Sequence, residues 1–65
     1  MLKLKVKRIL LENQFVGVRP GNMTQLAAAM EISHKHLLDL LHRGREDDVK
    51  RIAVGLGIPF DQLSP

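Results

Sequence analysis

The apolar residues between positions 22 and 44 repeat with the spacing of two short amphipathic helices. The first segment has them at i, i+3, i+4 and i+7, which places one apolar stripe on one helical face. These residues are Met23, Leu26, Ala27 and Met30. The second segment contributes Leu37, Leu38, Leu40 and Leu41. Because only Glu31 and Ile32 separate the first pattern from the next helix start, the spacing predicts a helix-turn-helix arrangement.

Residues that favour helix ends occur where these two helices would begin and end. Asn22 can cap the first helix, and Gln25 follows three residues later, where the partner of a capping box belongs. Ser33 can cap the second helix, and Gly44 suits its C-terminal end. The helix-turn-helix unit is therefore predicted over about residues 22–44.

The second helix, predicted over about residues 34–43, also has a polar side. On a wheel of about 100° per residue, five hydrogen-bonding side chains share an arc opposite the leucines. They are Lys35, His36, Asp39, His42 and Arg43. Such a row, starting at a helix N-terminus, suits the base edges of a DNA major groove. An ordinary solvated face has the same pattern, and the wheel by itself favours neither interpretation.

The N-terminal segment can be read in two ways. Residues 2–7 alternate between apolar and basic, which is a strand pattern, but their apolar residues also fit a helical stripe. We expect a short extended start that passes into a helix by about Val6 and ends near Gln14, before a Gly/Pro-rich loop over residues 15–21. The alternation leaves open a ribbon-helix-helix dimer, although four helical patterns weigh against it. Its groove-facing residues would be Lys3, Lys5 and Lys7.

The C-terminal third predicts two more helices. The first begins at a cap on Asp47 or Asp48, whose charges suit a helix N-terminus, and ends at Gly57. Its apolar face comprises Val49, Ile52, Ala53 and Leu56. Pro59 suits the first turn of a short last helix. The chain is therefore predicted to be a single all-α domain of four to five helices over residues 1–65.

Composition narrows the class of protein further. A chain of 65 residues without cysteine has a thin core and neither a disulfide nor a thiolate zinc site. Two phenylalanines, with no tyrosine or tryptophan, argue against stacking on single-stranded nucleic acid. No apolar run approaches the roughly 20 residues of a membrane span, and no signal peptide is visible. We therefore expect a cytoplasmic protein.

The positive charge is concentrated at one end of the chain. The formal net charge is +3; residues 1–20 carry +4, residues 21–43 are neutral, and residues 44–65 carry −1. A basic N-terminal arm suits a polyanionic partner such as DNA, although the presumed reading helix is itself neutral.

Three segments together resemble the Cro/C1-type (XRE-like) helix-turn-helix family of small phage and bacterial regulators. They are LAAAMEIS, LLDLLHRG and IAVGLGIPFDQL, within roughly residues 22–63. The resemblance implies a compact lambda-repressor-like domain with a recognition helix in the major groove of duplex DNA. Glu31 replaces the family's usual turn glycine, so it must accept a left-handed backbone or alter the turn. Met23 stands where many relatives carry a glutamine that contacts phosphate.

The resemblance also implies roles for individual residues. The positions just after Ser33 are the usual base readers, which assigns base contacts to His34, Lys35 and Asp39. The residues expected to contact phosphates are Arg19, Asn22, Thr24, Gln25, His36, Arg43 and Arg45. Because one monomer covers too little DNA for tight binding, we expect a homodimer on a pseudo-palindromic operator.

Neither catalysis nor metal binding is indicated by the sequence. His34 and His36 point about 200° apart on a helix, so they cannot readily share a metal ion. Ser33 is needed as a cap, and the glycines lack the spacing of a phosphate-binding loop. We expect a non-enzymatic protein without a cofactor, a metal or a small-molecule ligand.

An alternative function belongs to another class. The chain could be a protein-interaction module, such as an antitoxin or anti-repressor, that uses Leu38 and Leu41 as an exposed leucine patch. The neutral reading helix and the acidic link after it favour this alternative modestly. We expect instead that these leucines pack against the inserted loop and the first helix.

Overall fold

The computed structural model describes residues 1–63, which form four α-helices and a short 3₁₀ helix. The elements are α1 (Leu2–Val16), α2 (Met23–Ala29), α3 (His34–Arg43), α4 (Glu46–Leu56) and the 3₁₀ helix (Phe60–Gln62). No strand occurs within residues 1–63. The predicted all-α domain of four to five helices is confirmed. Ser64 and Pro65, which the predicted domain includes, lie outside the described residues.

The expected extended start of the chain is wrong, because α1 is helical from Leu2 onwards. The helix directs Val6 and Leu10, which are four residues apart, into the core. An alternating strand would instead have placed its apolar side chains on one face, with no other described strand to pair with. The ribbon-helix-helix alternative, which needs a strand through Lys3, Lys5 and Lys7, therefore has no support in the described chain.

The end of α1 also lies later than predicted. Phe15 and Val16, expected within a loop over residues 15–21, form the last turn of the helix. Gly17 ends α1 in the left-handed conformation, with φ of 75°. This conformation is strained for residues with a Cβ atom. The loop therefore comprises residues 17–22.

Three side-chain amides hold this loop. Asn13 Nδ2 donates a 2.7 Å hydrogen bond to the Pro20 carbonyl, and Gln14 Nε2 donates to the Gly21 carbonyl. Gln25 was expected to complete a capping box, but its Oε1 instead accepts a 2.7 Å bond from the Gly21 N–H, one residue before the cap. These neutral hydrogen bonds fasten the end of α1 to the start of α2.

The predicted helix, turn and helix over residues 22–44 are present as α2, a short turn and α3. Both predicted N-caps are confirmed: Asn22 Oδ1 accepts from the Gln25 N–H at 2.8 Å, and Ser33 Oγ accepts from the His36 N–H at 3.0 Å. Glu31 adopts the left-handed conformation, with φ of 58°, so the turn is kept at the expense of backbone strain in a residue with a Cβ atom.

The start of α4 differs from the prediction. Its N-cap is Arg45, whose side chain makes no capping hydrogen bond, so the expected cap at Asp47 or Asp48 is wrong. Both carboxylates lie with Glu46 in the first turn, where the helix dipole favours negative charge. Gly57 ends α4 as predicted, with φ of 73°.

One apolar core joins all of these elements. Its buried members are Val6, Leu10, Leu26, Ala27, Leu37, Leu40, Leu41, Val49, Ile52, Ala53, Leu56 and Leu63. α2 packs on α3 and α4, α1 reaches α3, and α4 contacts the 3₁₀ helix. A Cβ atom at Gly55 would lie 2.6 Å from Met30 Cγ, so this glycine permits the close approach of α4 to α2. Pro59 caps the 3₁₀ helix instead of forming its first residue.

Candidate nucleic-acid interface

α3 separates its leucines from its polar side chains, as the sequence predicts. Leu37, Leu40 and Leu41 are buried in the core. The polar residues of the helix are all exposed: His34, Lys35, His36, Asp39, His42 and Arg43. The side of α3 that faces away from the core is therefore accessible to a partner along the whole helix.

Of the three predicted base readers, two lie in the middle of this outward side and the third lies at its edge. Lys35 and Asp39 lie one helical turn apart and within about 40° of each other on the wheel, opposite the buried leucines. Within residues 1–63, neither makes a side-chain hydrogen bond or an ion pair. His34 lies about 100° from Lys35, at the edge of this side. The arrangement therefore brings Lys35 and Asp39 together and leaves His34 peripheral.

His42 belongs to the same outward arc, although no base or phosphate contact was assigned to it. It lies about 20° from Lys35 in wheel angle, on the side away from Asp39, and borders a cleft with Met1 and Lys3 at the start of α1. The wheel indicated the position of His42, but only the packing of α1 against α3 brings a basic residue of the N-terminal arm beside it. Lys3 and Asp39 both border this cleft, so the positive charge of the N-terminal arm reaches the outward side of α3.

The start of α2 offers fewer free groups than expected. Asn22 and Thr24 are exposed, but the Asn22 side-chain oxygen is used as the helix cap. Gln25 is half-buried, and its oxygen is bound to the loop backbone. Met23 packs partly against the core. Of the three expected phosphate contacts here, Thr24 is the one whose side chain has no structural hydrogen bond within the described chain.

Arg43, an expected phosphate contact, is paired within the protein. Its Nε lies 3.5 Å from Asp48 Oδ2, a buried oxygen that meets the distance for an ion pair but makes no hydrogen bond within residues 1–63. The pair joins the last turn of α3 to the first turn of α4, and it competes with phosphate for the guanidinium. Arg45, two residues later, is exposed and in no ion pair of the described chain.

Arg19 lies in a different environment from the other expected contacts. It borders a surface depression with Pro20 and Gln25 and with residues of α2 and α4, and no described residue of α3 lines that depression. The structure therefore does not group Arg19 with Lys35 and Asp39 on the outward side of α3.

The leucine patch of the alternative function does not form. Leu41 is only 5% exposed, whereas Leu38 is 39% exposed. Both border the cleft with Met1 and Lys3. The leucines therefore lie beside the start of α1, as expected. The other expected contact, with the inserted loop, is not seen, because no residue of that loop borders the cleft.

The described residues were also compared with the requirements of a metal site and of a membrane-spanning helix. Over residues 1–63, no three histidine, cysteine, aspartate or glutamate side chains are grouped so that they could hold a metal ion. None of the described helices combines the length and the apolar character that crossing a bilayer requires.

Comparisons with protein-family models, with characterised proteins and with solved structures gave no significant match. The resemblance seen in the sequence therefore stays a prediction. A function has to be argued from the arrangement of the residues described above.

Proposed function

We propose that this protein is a small transcriptional regulator, a repressor of the Cro/C1 (XRE-like) type, that binds duplex DNA sequence-specifically in the cytoplasm. The observation that carries the proposal is the outward side of α3. Three of the four leucines of α3 are in the core, and Lys35 and Asp39 project from the opposite side of the helix without partners among the described residues.

The dimensions and side chains of α3 suit the major groove of DNA. A helix with its side chains is about 10–12 Å across, and the major groove is about 12 Å wide. Lys35 suits the O6 and N7 acceptors of guanine, and Asp39 can accept from the N4 amino group of cytosine. Because a carboxylate repels phosphates, Asp39 contributes to specificity more than to affinity.

Phosphate contacts in this proposal come from residues around α3. Thr24, His36 and Arg45 are exposed on or beside the helix-turn-helix unit, and Lys3 borders the outward side of α3. Of these, Lys3 and Arg45 carry positive charge, and about two phosphates neutralised per domain would give a log–log dependence of affinity on salt with a slope near −1.8. A homodimer on a pseudo-palindrome, with half-sites about one helical turn apart, would double the contacts.

The test is a selection of bound sequences from a random duplex pool at a stated salt concentration, repeated with Lys35→Ala and Asp39→Ala. Each substitution is expected to relax the preference at one base pair, at a cost of about 1–3 kcal/mol in discrimination. Lys35→Ala also removes a positive charge. Arg51→Ala, an exposed α4 residue, is the matched control, which should leave the selected sequence unchanged.

Equal affinity for selected and scrambled duplexes would refute the proposal, as would an unchanged selected sequence in both α3 variants. The alternative, a protein-interaction module, loses much of its basis because Leu41 is buried. Under that alternative, Leu38→Ser would abolish partner binding while Lys35→Ala and Asp39→Ala would have no effect.

A further inference from the structure

α1 has a second apolar side that no described part of the chain covers. Leu4, Leu11 and Phe15 lie within about 40° of one another on the helical wheel, roughly opposite Val6 and Leu10, which face the core. Their exposed fractions are 62%, 61% and 92%. These three side chains form the outer ridge. Single exposed apolar residues are ordinary, whereas three aligned along one helix indicate a contact surface.

We propose that the outer ridge is the homodimer interface, and that α1 packs there against α1 of a second copy in the antiparallel direction. The role of this dimer rests on the proposed function, which needs two domains on one operator. Its existence does not, and it can be tested without DNA.

The spacing along the ridge supports a second copy as the occupant. Arg8 lies at the edge of the outer ridge, about 20° from Phe15 on the wheel. Together with Arg8, the ridge residues Leu4, Leu11 and Phe15 give separations of four, three and four residues, a spacing that reads the same from either end. An antiparallel two-fold pair therefore matches Leu4 with Phe15 of the second copy, and Arg8 with Leu11. A symmetric dimer requires this kind of self-complementary surface.

Charge determines the direction of the pair. Arg8 and Glu12 lie on the same flank of the ridge, about 40° apart on the wheel. Because like flanks face each other in an antiparallel two-fold pair, Arg8 of one copy would lie on the same flank as Glu12 of the second, only one residue (about 1.5 Å) away along the helix axis, and the contact would occur twice. A parallel pair would instead place Arg8 against Arg8 and bring the basic starts of both helices together.

The size of the ridge predicts a weak dimer. Even if each of the three side chains buried about 250 Å², the upper value for a large aromatic residue, the ridge would bury less surface than the roughly 800 Å² per partner of a standard interface. We therefore expect dissociation constants in the micromolar range, so that the free protein is a mixture of monomer and dimer. Two adjacent half-sites would then favour the dimer on DNA.

Sedimentation velocity of the full chain without DNA, from about 1 to about 500 µM, tests the interface. Phe15→Glu is expected to weaken dimerisation about tenfold or more. The variant should stay folded by circular dichroism, because Phe15 is almost fully exposed. Val54→Glu is the matched control, since Val54 is 80% exposed on α4 and outside the ridge. A monomer throughout this range, or a Phe15→Glu dimer as tight as the natural one, would overturn the inference.

Charge reversal tests the direction. In the antiparallel pair, Arg8→Glu alone and Glu12→Arg alone should each weaken the dimer about fivefold, and the double reversal should restore it, because the two contacts are worth about 1 kcal/mol together. If Arg8→Glu leaves the dimer equally tight or tightens it, the helices are parallel and the proposed geometry is wrong.

The failure of this inference can be told apart from the failure of the proposed function. A chain that stays monomeric but selects a DNA sequence contradicts the dimer interface. The outer ridge would then be a contact surface for a different protein. A chain that dimerises through Phe15 but binds all duplexes equally contradicts the DNA-reading proposal alone.

Discussion

Glu31 offers a direct test of whether the turn between α2 and α3 is held under backbone strain. It has a φ of 58° and is exposed, with no side-chain hydrogen bond or ion pair within residues 1–63. An L-residue in this conformation is disfavoured by about 1–2 kcal/mol. Glycine avoids that cost but loses about 0.5–1 kcal/mol more in conformational entropy on folding. Glu31→Gly should therefore stabilise the domain by about 0.7 kcal/mol.

The measurement is urea and thermal unfolding followed by circular dichroism. For a domain of this size, about 0.7 kcal/mol corresponds to a rise of roughly 3–6 °C in Tm. Removal of a negative charge from the C-terminal end of α2 adds about 0.3 kcal/mol to this backbone effect, so the total gain expected for Glu31→Gly is about 1 kcal/mol, or roughly 4–8 °C in Tm. Glu31→Ala is the matched control, because it removes the same charge but keeps a Cβ atom in the left-handed conformation.

The difference between the glycine and alanine variants isolates the contribution of the backbone. If Glu31→Gly were no more stable than Glu31→Ala, the turn would store no strain that glycine can relieve. The statement that Glu31 keeps the turn at the expense of backbone strain would then be refuted.

Three further substitutions test other parts of the domain by the same unfolding measurements. Ser33→Ala should cost about 1 kcal/mol, because the His36 N–H loses its cap; no loss would show that the cap is dispensable. Gly55→Ala should destabilise by about 1 kcal/mol despite the better helix propensity of alanine, because the new methyl group overlaps the side chain of Met30, the C-cap of α2, and a gain in stability would contradict that overlap. Arg43→Ala should cost about 1 kcal/mol by leaving a buried carboxylate unpaired, whereas Arg45→Ala should not, and equal effects would exclude this role for the ion pair.

The sequence predicted those parts of the fold that depend on short-range patterns. Asn22 and Ser33 could be identified as caps because a cap acts on a backbone N–H only three residues away. The outward positions of Lys35 and Asp39 followed from helical geometry once the buried leucines were known. Glu31 could be identified as the turn residue because it stands where the family that the sequence resembles usually has a glycine.

The errors arose where distant residues decide between two local possibilities. Residues 2–7 satisfy both a strand and a helix pattern, and the choice depends on the rest of the core, which accepts Val6 and Leu10 from one face of a helix. The sequence favoured an aspartate as the cap of α4. The helix begins earlier, and Asp48 instead pairs with Arg43 of α3.

The same limit applies to the candidate interface. The pairing of Arg43, the use of the Gln25 oxygen by the loop and the position of Lys3 beside α3 all depend on how separate elements pack. None of these could be deduced from spacing along the chain. The outer ridge became visible only when Phe15 proved to be helical, because the predicted loop had removed it from α1.

The loop between α1 and α2 is held by neutral hydrogen bonds, so this domain is well suited to experiments in which the salt concentration is varied. Asn13, Gln14 and Gln25 hold the loop through amide groups, and the core is apolar, so added electrolyte has little to screen in these parts of the fold. The unfolding midpoint of the free protein should therefore be nearly constant between about 50 and about 200 mM salt. A loss of DNA affinity over that interval can then be attributed to the return of counterions to the phosphates and to screening of the Arg8–Glu12 contacts in the proposed dimer, without a contribution from unfolding of the domain.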